Sequence, residues 1–273
     1  MSKALPALGD LVAATEALLP TGTPTRIQDA IDKIEREATA KGLGRAPWLT
    51  IVTATTMTRG TPASIAALSQ HILTNIPPSE AVGAMEFIRE VGMSCMVMNG
   101  TPRTAVMLNA LRESLPHSIS TSLSKSTTRH IDEHNIASVQ ARGRMLWEQI
   151  HGRFSDKLEQ KFSEAHPDLP IIAIGTMYGN LLINGRVTTS IGSMACLQSQ
   201  VGFAAQVFDH VCGLKNAWKD GSWRSEPNLG SEEGIKWLLS DGGSLWILEK
   251  VDELVEAIVQ DERVGLAQYR PKL

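Results

Sequence analysis

Apolar residues return with a helical period through most of the chain. In VDELVEAIVQ, Val251, Leu254, Val255, Ile258 and Val259 stand at i, i+3, i+4, i+7 and i+8, which gathers them into one stripe along a helix of 3.6 residues per turn. Toward the other end, Thr23-Pro24 supplies a cap and a first-turn proline. Ile27, Ile31, Ile34 and Ala38 then share a face, and Gly42 is placed to end the helix. Ser79 opens a segment carrying Val82, Met85 and Ile88, with Gly92 as its expected stop. The run IIAIG at 171–175 has the residue types of a strand, but no partner with an alternating pattern and no hairpin turn surrounds it. The pattern predicts an all-α fold, a helical bundle.

One stretch breaks the period. Residues 118–130, SISTSLSKSTTRH, hold almost no large apolar side chain and read as a connector. The expected organisation is an N-terminal helical half (1–117), this Ser/Thr-rich connector (118–130) and a C-terminal helical half (131–273). TATTMTRGTPASIAALSQHIL, which runs past His71, and SMACLQSQVGFAAQVFDHVCG, which runs past His210, both set small and apolar residues before a histidine. The two halves are therefore expected to be related, with their histidine helices packed near each other.

Composition removes several classes of function. The chain has 273 residues, enough to bury a large core, and its 42% hydrophobic and 20% charged content is that of a globular protein. A formal net charge of -3 offers no broad attraction for nucleic acid or an anionic membrane. No apolar run approaches a membrane span, and the N-terminal segment, interrupted by Asp10 and Glu16, has no targeting character. Cys95, Cys196 and Cys212 are odd in number, widely spread and without a Cys-x-x-Cys pair, so they read as structural thiols in a reducing compartment. The expected location is the cytoplasm.

The densest candidate chemistry lies in CLQSQVGFAAQVFDHVCG, residues 196–213. On a helix, Cys196 sits roughly 21 Å along the axis from His210, and Cys212 points away from it, so neither thiol serves this histidine within one helix. Gln206, four residues before His210, is at contact spacing. The pair is either a buried histidine satisfied by an amide or an acid–base group held in its tautomer by that amide. HIDEH at 130–134 sets His130 and His134 at i, i+4, a metal-ligating spacing, but its place beside the polar connector reads as a solvated helix start, and no metal is expected. GLGRAP at 42–47 lacks the strand and third glycine of a phosphate loop, and no Gly-x-Ser-x-Gly elbow occurs. Trp218, Trp223, Trp237 and Trp246 fall in one region, as core, as an oligomer contact or as the wall of an apolar pocket.

FIREVGMSCMVMNGTPRTAVMLNALRESLP, RGRMLWEQIHGRFSDKLEQKFSEAHPDLP and ACLQSQVGFAAQVFDHVCGLKNAW together resemble fungal-type proteins of the alkylhydroperoxidase D-like superfamily, which includes carboxymuconolactone decarboxylases. The likeness covers roughly residues 45–260, with MNGTPRT at 98–104 similar to the superfamily's glycine–proline helix junction. It implies a helical bundle that assembles as a homo-oligomer. Peroxidase members use a glutamate, a Cys-x-x-Cys pair and a histidine. Set on that histidine, His210 leaves Gln206 and Phe203 at the cysteine positions and Ile191 near the glutamate, while His71 leaves Ala67 and Ser64. A dithiol peroxidase needs thiols there and is not expected. The resemblance implies instead a cofactor-free lyase, decarboxylase or isomerase acting on a small organic acid, lactone or polyketide-like metabolite. His210 would be its acid or base, Gln206 the orienting group, and His71 and Arg103 substrate contacts. The alternative is a non-catalytic helical protein that binds a ligand or partner after losing the dithiol.

Overall fold

The computed structural model describes residues 25–268, and for 264–268 the helical backbone alone. The expected Thr23-Pro24 cap lies outside the described residues. Within them are twelve α-helices: α1 (Thr25–Ala40), α2 (Arg45–Arg59), α3 (Pro62–Asn75), α4 (Ala81–Ser94), α5 (Met96–Ser114), α6 (His117–Ser122), α7 (Ile136–His151), α8 (Ser155–Ala165), α9 (Arg186–Gln198), α10 (Ala204–Asp220), α11 (Glu232–Leu238) and α12 (Asp241–Gln268). No β-strand occurs among the described residues, and the protein is an all-α bundle. The strand-like IIAIG lies in a π-helix, Ile171–Tyr178, whose wider turn sets Ala173, Ile174 and Tyr178 inward.

The bundle is organised around α2 and α9. In α2 every residue from Ala46 to Thr58 is buried, and α9 is buried along nearly its whole length. Among its buried threonines, the hydroxyls of Thr50 and Thr58 donate to the carbonyls of Ala46 and Ala54, each at 2.7 Å, whereas those of Thr53, Thr55 and Thr56 have no partner among the described residues. Small residues bring the two helices close. A Cβ on Gly192 would stand 3.6 Å from the Thr50 methyl, and Cys196 Sγ lies 3.9 Å from the Ala54 carbonyl. Those two contacts advance together in number, so α2 and α9 run in the same direction.

Around this pair, α12 packs on α1, α2 and α9, and α3 packs on α5 and α1. The expected stripes appear as read. Ile27, Ile31, Ile34 and Ala38 of α1 and Val251, Leu254 and Ile258 of α12 are in the core, and Gly42 takes a φ of 73° just past α1. Gly92 does not stop its helix, which continues to Ser94. A Cβ there would lie 2.9 Å from a Leu108 methyl, so the glycine serves the close approach of α4 to α5. The stretch read as a connector opens with α6, and Leu123 behind it is buried. The main core draws on residues from both sides of it. Arg129 closes the following coil against Glu90 at 2.8 Å.

The two histidine helices do not pack on each other as expected. The helices in front of them, α2 and α9, meet instead, and this leaves α3 against α5 and α1 and α10 against α9 and α7. His71 and His210 therefore belong to different neighbourhoods.

Candidate active site

His210 is buried on the inward side of α10, with Val207, Gly213, Leu214 and Ala217. Gln206 is exposed and does not pair with it. Phe203, Ala204 and Ala205 are exposed there as well, whereas Val207 of the same turn is buried. Nδ1 of His210 has no hydrogen-bond partner among the described residues. The group facing His210 is a second imidazole, His151 at the end of α7, whose ring stands edge-on with centroids 6.1 Å apart.

His151 sits in an aromatic surround. Trp147, one turn earlier on α7, lies 4.0 Å from its ring. Tyr178, at the end of the π-helix, lies 5.3 Å from Trp147, and Phe162 of α8 closes the far side of Trp147 at 5.5 Å. Two glycines make this arrangement possible. A Cβ on Gly143 would fall 2.1 Å from the Ile174 carbonyl, and one on Gly179 would fall 2.2 Å from that of Val139, so the π-helix lies backbone to backbone on α7. The Tyr178 hydroxyl lies 3.5 Å from His151 Nε2, the long limit of a hydrogen bond. Donation along it leaves the His151 proton on Nδ1, and that atom too is buried without a partner.

Burial governs the electrostatics. Desolvation brings His210 down to about 3, with repulsion from His151 adding to it, and brings His151 down to about 4. The end of a helix ordinarily favours a histidine cation. At His151 the loss of water outweighs it. Burial raises the Tyr178 phenol well above its ordinary value, with the Asp209 carboxylate adding to the effect, and burial also raises Asp209. Near neutral pH the cluster is thus two neutral imidazoles and a protonated phenol, with a half-buried carboxyl at its edge.

A buried arginine clamps the helices that carry the imidazoles. Arg186, at the start of α9, donates to the Gln149 carbonyl of α7 at 2.5 Å and to the Gly213 carbonyl of α10 at 3.2 Å, and pairs with Asp220. Gln149 is two residues from His151 and Gly213 three from His210, so the clamp sits within a turn of the pair. The start of α9 is itself held by Glu226, which accepts from the backbone N–H groups of Val187 at 2.6 Å and Thr188 at 3.0 Å. Beside the clamp an open cleft of about 410 Å³ is lined by Arg142, Arg186, Ser222, Leu146 and Leu182. The two leucines back onto the aromatic cluster.

The other expected site residues lie apart from His210. His71 is buried on α3 between carboxylates of α1, with Asp32 at 3.5 Å and Glu35 at 3.4 Å, and Asn75 at 3.3 Å. Arg103 follows the kink of α5 at Gly100 (φ 75°) and caps the end of α2, donating to the carbonyls of Met57 at 2.8 Å and Gly60 at 2.6 Å. His130 and His134 are solvated beside Asp132 and Glu133. Among the described residues no group of three or more His, Cys, Asp or Glu side chains is arranged to hold a metal ion. Likewise, no helix there is long and apolar enough to cross a membrane. The tryptophans pair in the core region, Trp218 stacked on Trp223 at 5.3 Å and Trp237 edge-on to Trp246 at 5.7 Å.

His151, Tyr178 and Arg186 were not singled out in the sequence. The one signal for the first two was the glycine in each contacting segment, Gly143 and Gly179, and nothing in spacing ties either segment to His210. No family model matches the chain, and no significant match is found among curated proteins or among solved structures.

Proposed function

We propose that the protein is a cofactor-free acid–base enzyme, a lyase, decarboxylase or isomerase acting on a small, partly apolar organic acid, lactone or polyketide-like metabolite, and that it is an outlying member of the alkylhydroperoxidase D-like superfamily. The observation that carries the reading is the pair of neutral imidazoles, His210 and His151, each with a buried, unpaired Nδ1, beside the Tyr178 hydroxyl. Clusters of perturbed titratable groups concentrate at reactive sites.

The depressed basicity of His210 has a consequence for the substrate. A histidine brought to about 3 by desolvation is a poor base until a negative charge stands near it. An anionic substrate supplies that charge. Its carboxylate, held in the cleft by the guanidinium of Arg142, of which only Nε is engaged among the described residues, would raise the imidazole toward a useful range at the moment of binding. Proton removal would then be confined to the loaded site, with His210 as the base and the Tyr178–His151 pair as the donor to the developing enolate. Homo-oligomer formation belongs to the same reading, and the exposed Val201, Phe203 and Phe208 near the start of α10 are the side chains it would cover.

One feature favours the second reading, a helical protein that binds without catalysis: His71 and Arg103 are both occupied with structural partners. Screening small carboxylates and lactones by thermal shift, then assaying hits for turnover, separates the two. His210→Asn should lower turnover roughly 10²–10⁴-fold with folding retained. A hit that binds wild type and variant alike without turning over would leave only the binding protein.

A further inference from the structure

Cys95 and Cys196 are 101 positions apart in the chain, and the fold brings them together. Cys95 sits at the junction of α4 and α5 and Cys196 on α9, both buried. They line one cavity of about 20 Å³ with the polar side chains of Ser94, Asn184, Thr188 and Ser193. That volume admits a single water-sized molecule, and the lining can hydrogen-bond it. The two thiols lie near enough to shift one another's acidity, and the Cys196 S–H points to the Ala54 carbonyl at 3.9 Å. Neither cysteine occupies a position at which the resemblance places a thiol.

We propose that Cys95 and Cys196 form an oxidation-sensitive dithiol that closes to an intramolecular disulfide when hydrogen peroxide, a molecule of near-water size, enters the cavity beside them. Cys196 is the first nucleophile. The neighbouring Cys95 holds it below an ordinary thiol, while Cys196, with burial, raises Cys95 well above one. The Cys196 thiolate attacks one peroxide oxygen and the O–O bond breaks. The departing hydroxide takes up the proton Cys196 released, giving water and a Cys196 sulfenic acid. Cys95 sulfur then attacks that sulfur, the S–O bond breaks, and the Cys95 proton leaves with the hydroxyl as a second water. The two thiols lose two electrons and the peroxide is reduced to two waters. The product joins the α4–α5 junction to α9.

The test is peptide mapping of the folded full-length chain after exposure to hydrogen peroxide, with denaturing alkylation before and after reduction, and with circular dichroism to show that the fold persists. The expected result is one dithiothreitol-reversible cross-link between the Cys95 and Cys196 peptides, at the loss of two hydrogens, with Cys212 still alkylated. Recovery of all three thiols, irreversible oxidation of Cys196 beside a free Cys95, or a cross-link to Cys212 would overturn the proposal. Cys95→Ser should accumulate a Cys196 sulfenic acid trapped by dimedone, whereas Cys196→Ser should leave Cys95 unmodified. The reverse pattern would overturn the assigned order.

Discussion

His71 and His210 are both buried, each on a helix that follows one of the two central helices, yet their surroundings differ in kind. His71 faces two carboxylates of α1 and an amide, all within 3.5 Å. His210 faces an indole-backed imidazole and, among the described residues, has no carboxylate partner of its own. The first arrangement gives both ring nitrogens a polar partner, and with Asp32 and Glu35 partly in water it is an ordinary tie between α1 and α3. The second keeps its ring neutral and leaves a polar atom unsatisfied. Equal burial of one residue type thus produces a structural tie in one place and a reactive candidate in the other. The difference lies in what the neighbouring helix presents.

The largest expected effect that breaks this symmetry is in the response to acid. A histidine whose folded value lies below its unfolded value of about 6.5 is stabilising, relative to its protonated state, only above that value. As pH falls below about 6.5 the unfolded chain takes up protons that folded His210 and His151 refuse until about 3 and about 4. Stability should drop by several kcal/mol across that window, at up to about 1.4 kcal/mol per pH unit for each ring. The carboxylates held below their ordinary value, Glu37, Glu159 and Glu253, add their own loss only below about 4.5. Urea titrations between pH 7 and 5 read the loss at the histidines against the smaller, opposite contribution of the carboxyls that burial raises, Asp209, Glu226 and Glu262. His210→Leu should flatten the slope in that range.

Next in size is Arg186→Met, which removes the clamp and leaves the carbonyls of Gln149 and Gly213 without their donor. It should cost about 3 kcal/mol in chemical denaturation. Gly143→Ala should cost about 1–3 kcal/mol or more, because the new methyl would meet a backbone carbonyl rather than a side-chain end. Near-ultraviolet circular dichroism should report displacement of Trp147 and Tyr178. The smallest effects come from the histidines at neutral pH. His71→Leu removes a satisfied polar group and should cost about 1 kcal/mol. His210→Leu replaces an unsatisfied one with an apolar group of similar size and should be neutral or slightly stabilising. A loss at His210→Leu as large as that at His71→Leu would mean that His210 has a structural partner after all.

Much of the fold was legible because it rests on local signals. The stripe of Ile27, Ile31, Ile34 and Ala38 and that of Val251, Leu254 and Ile258 face the core as their spacing predicts. The partner of His210 was not legible. Gln206 has the right spacing for contact, but spacing does not say how far along a helix its face is covered, and at Gln206 that face is open to solvent. His151, Tyr178 and Arg186 reach the site from segments with no periodic relation to α10, joined by backbone contacts at Gly143 and Gly179. Cys95 and Cys196 meet for the same kind of reason, across the packing of α9 on its neighbours. IIAIG was ambiguous because strand and buried helix share its residue types, and only contact with α7 decides for the π-helix.

The central claim is that His210 is neutral and gains basicity only from an anionic ligand. Nitrogen-15 NMR of the imidazole ring measures this directly, as a titration of the folded wild-type protein without ligand and at saturation with a carboxylate that raises its melting temperature. The account predicts a neutral ring throughout the accessible range without ligand, consistent with a value of about 3, and a marked rise toward neutrality when the carboxylate is bound. A free-protein titration near 6.5, or a value unmoved by a saturating carboxylate, would contradict it.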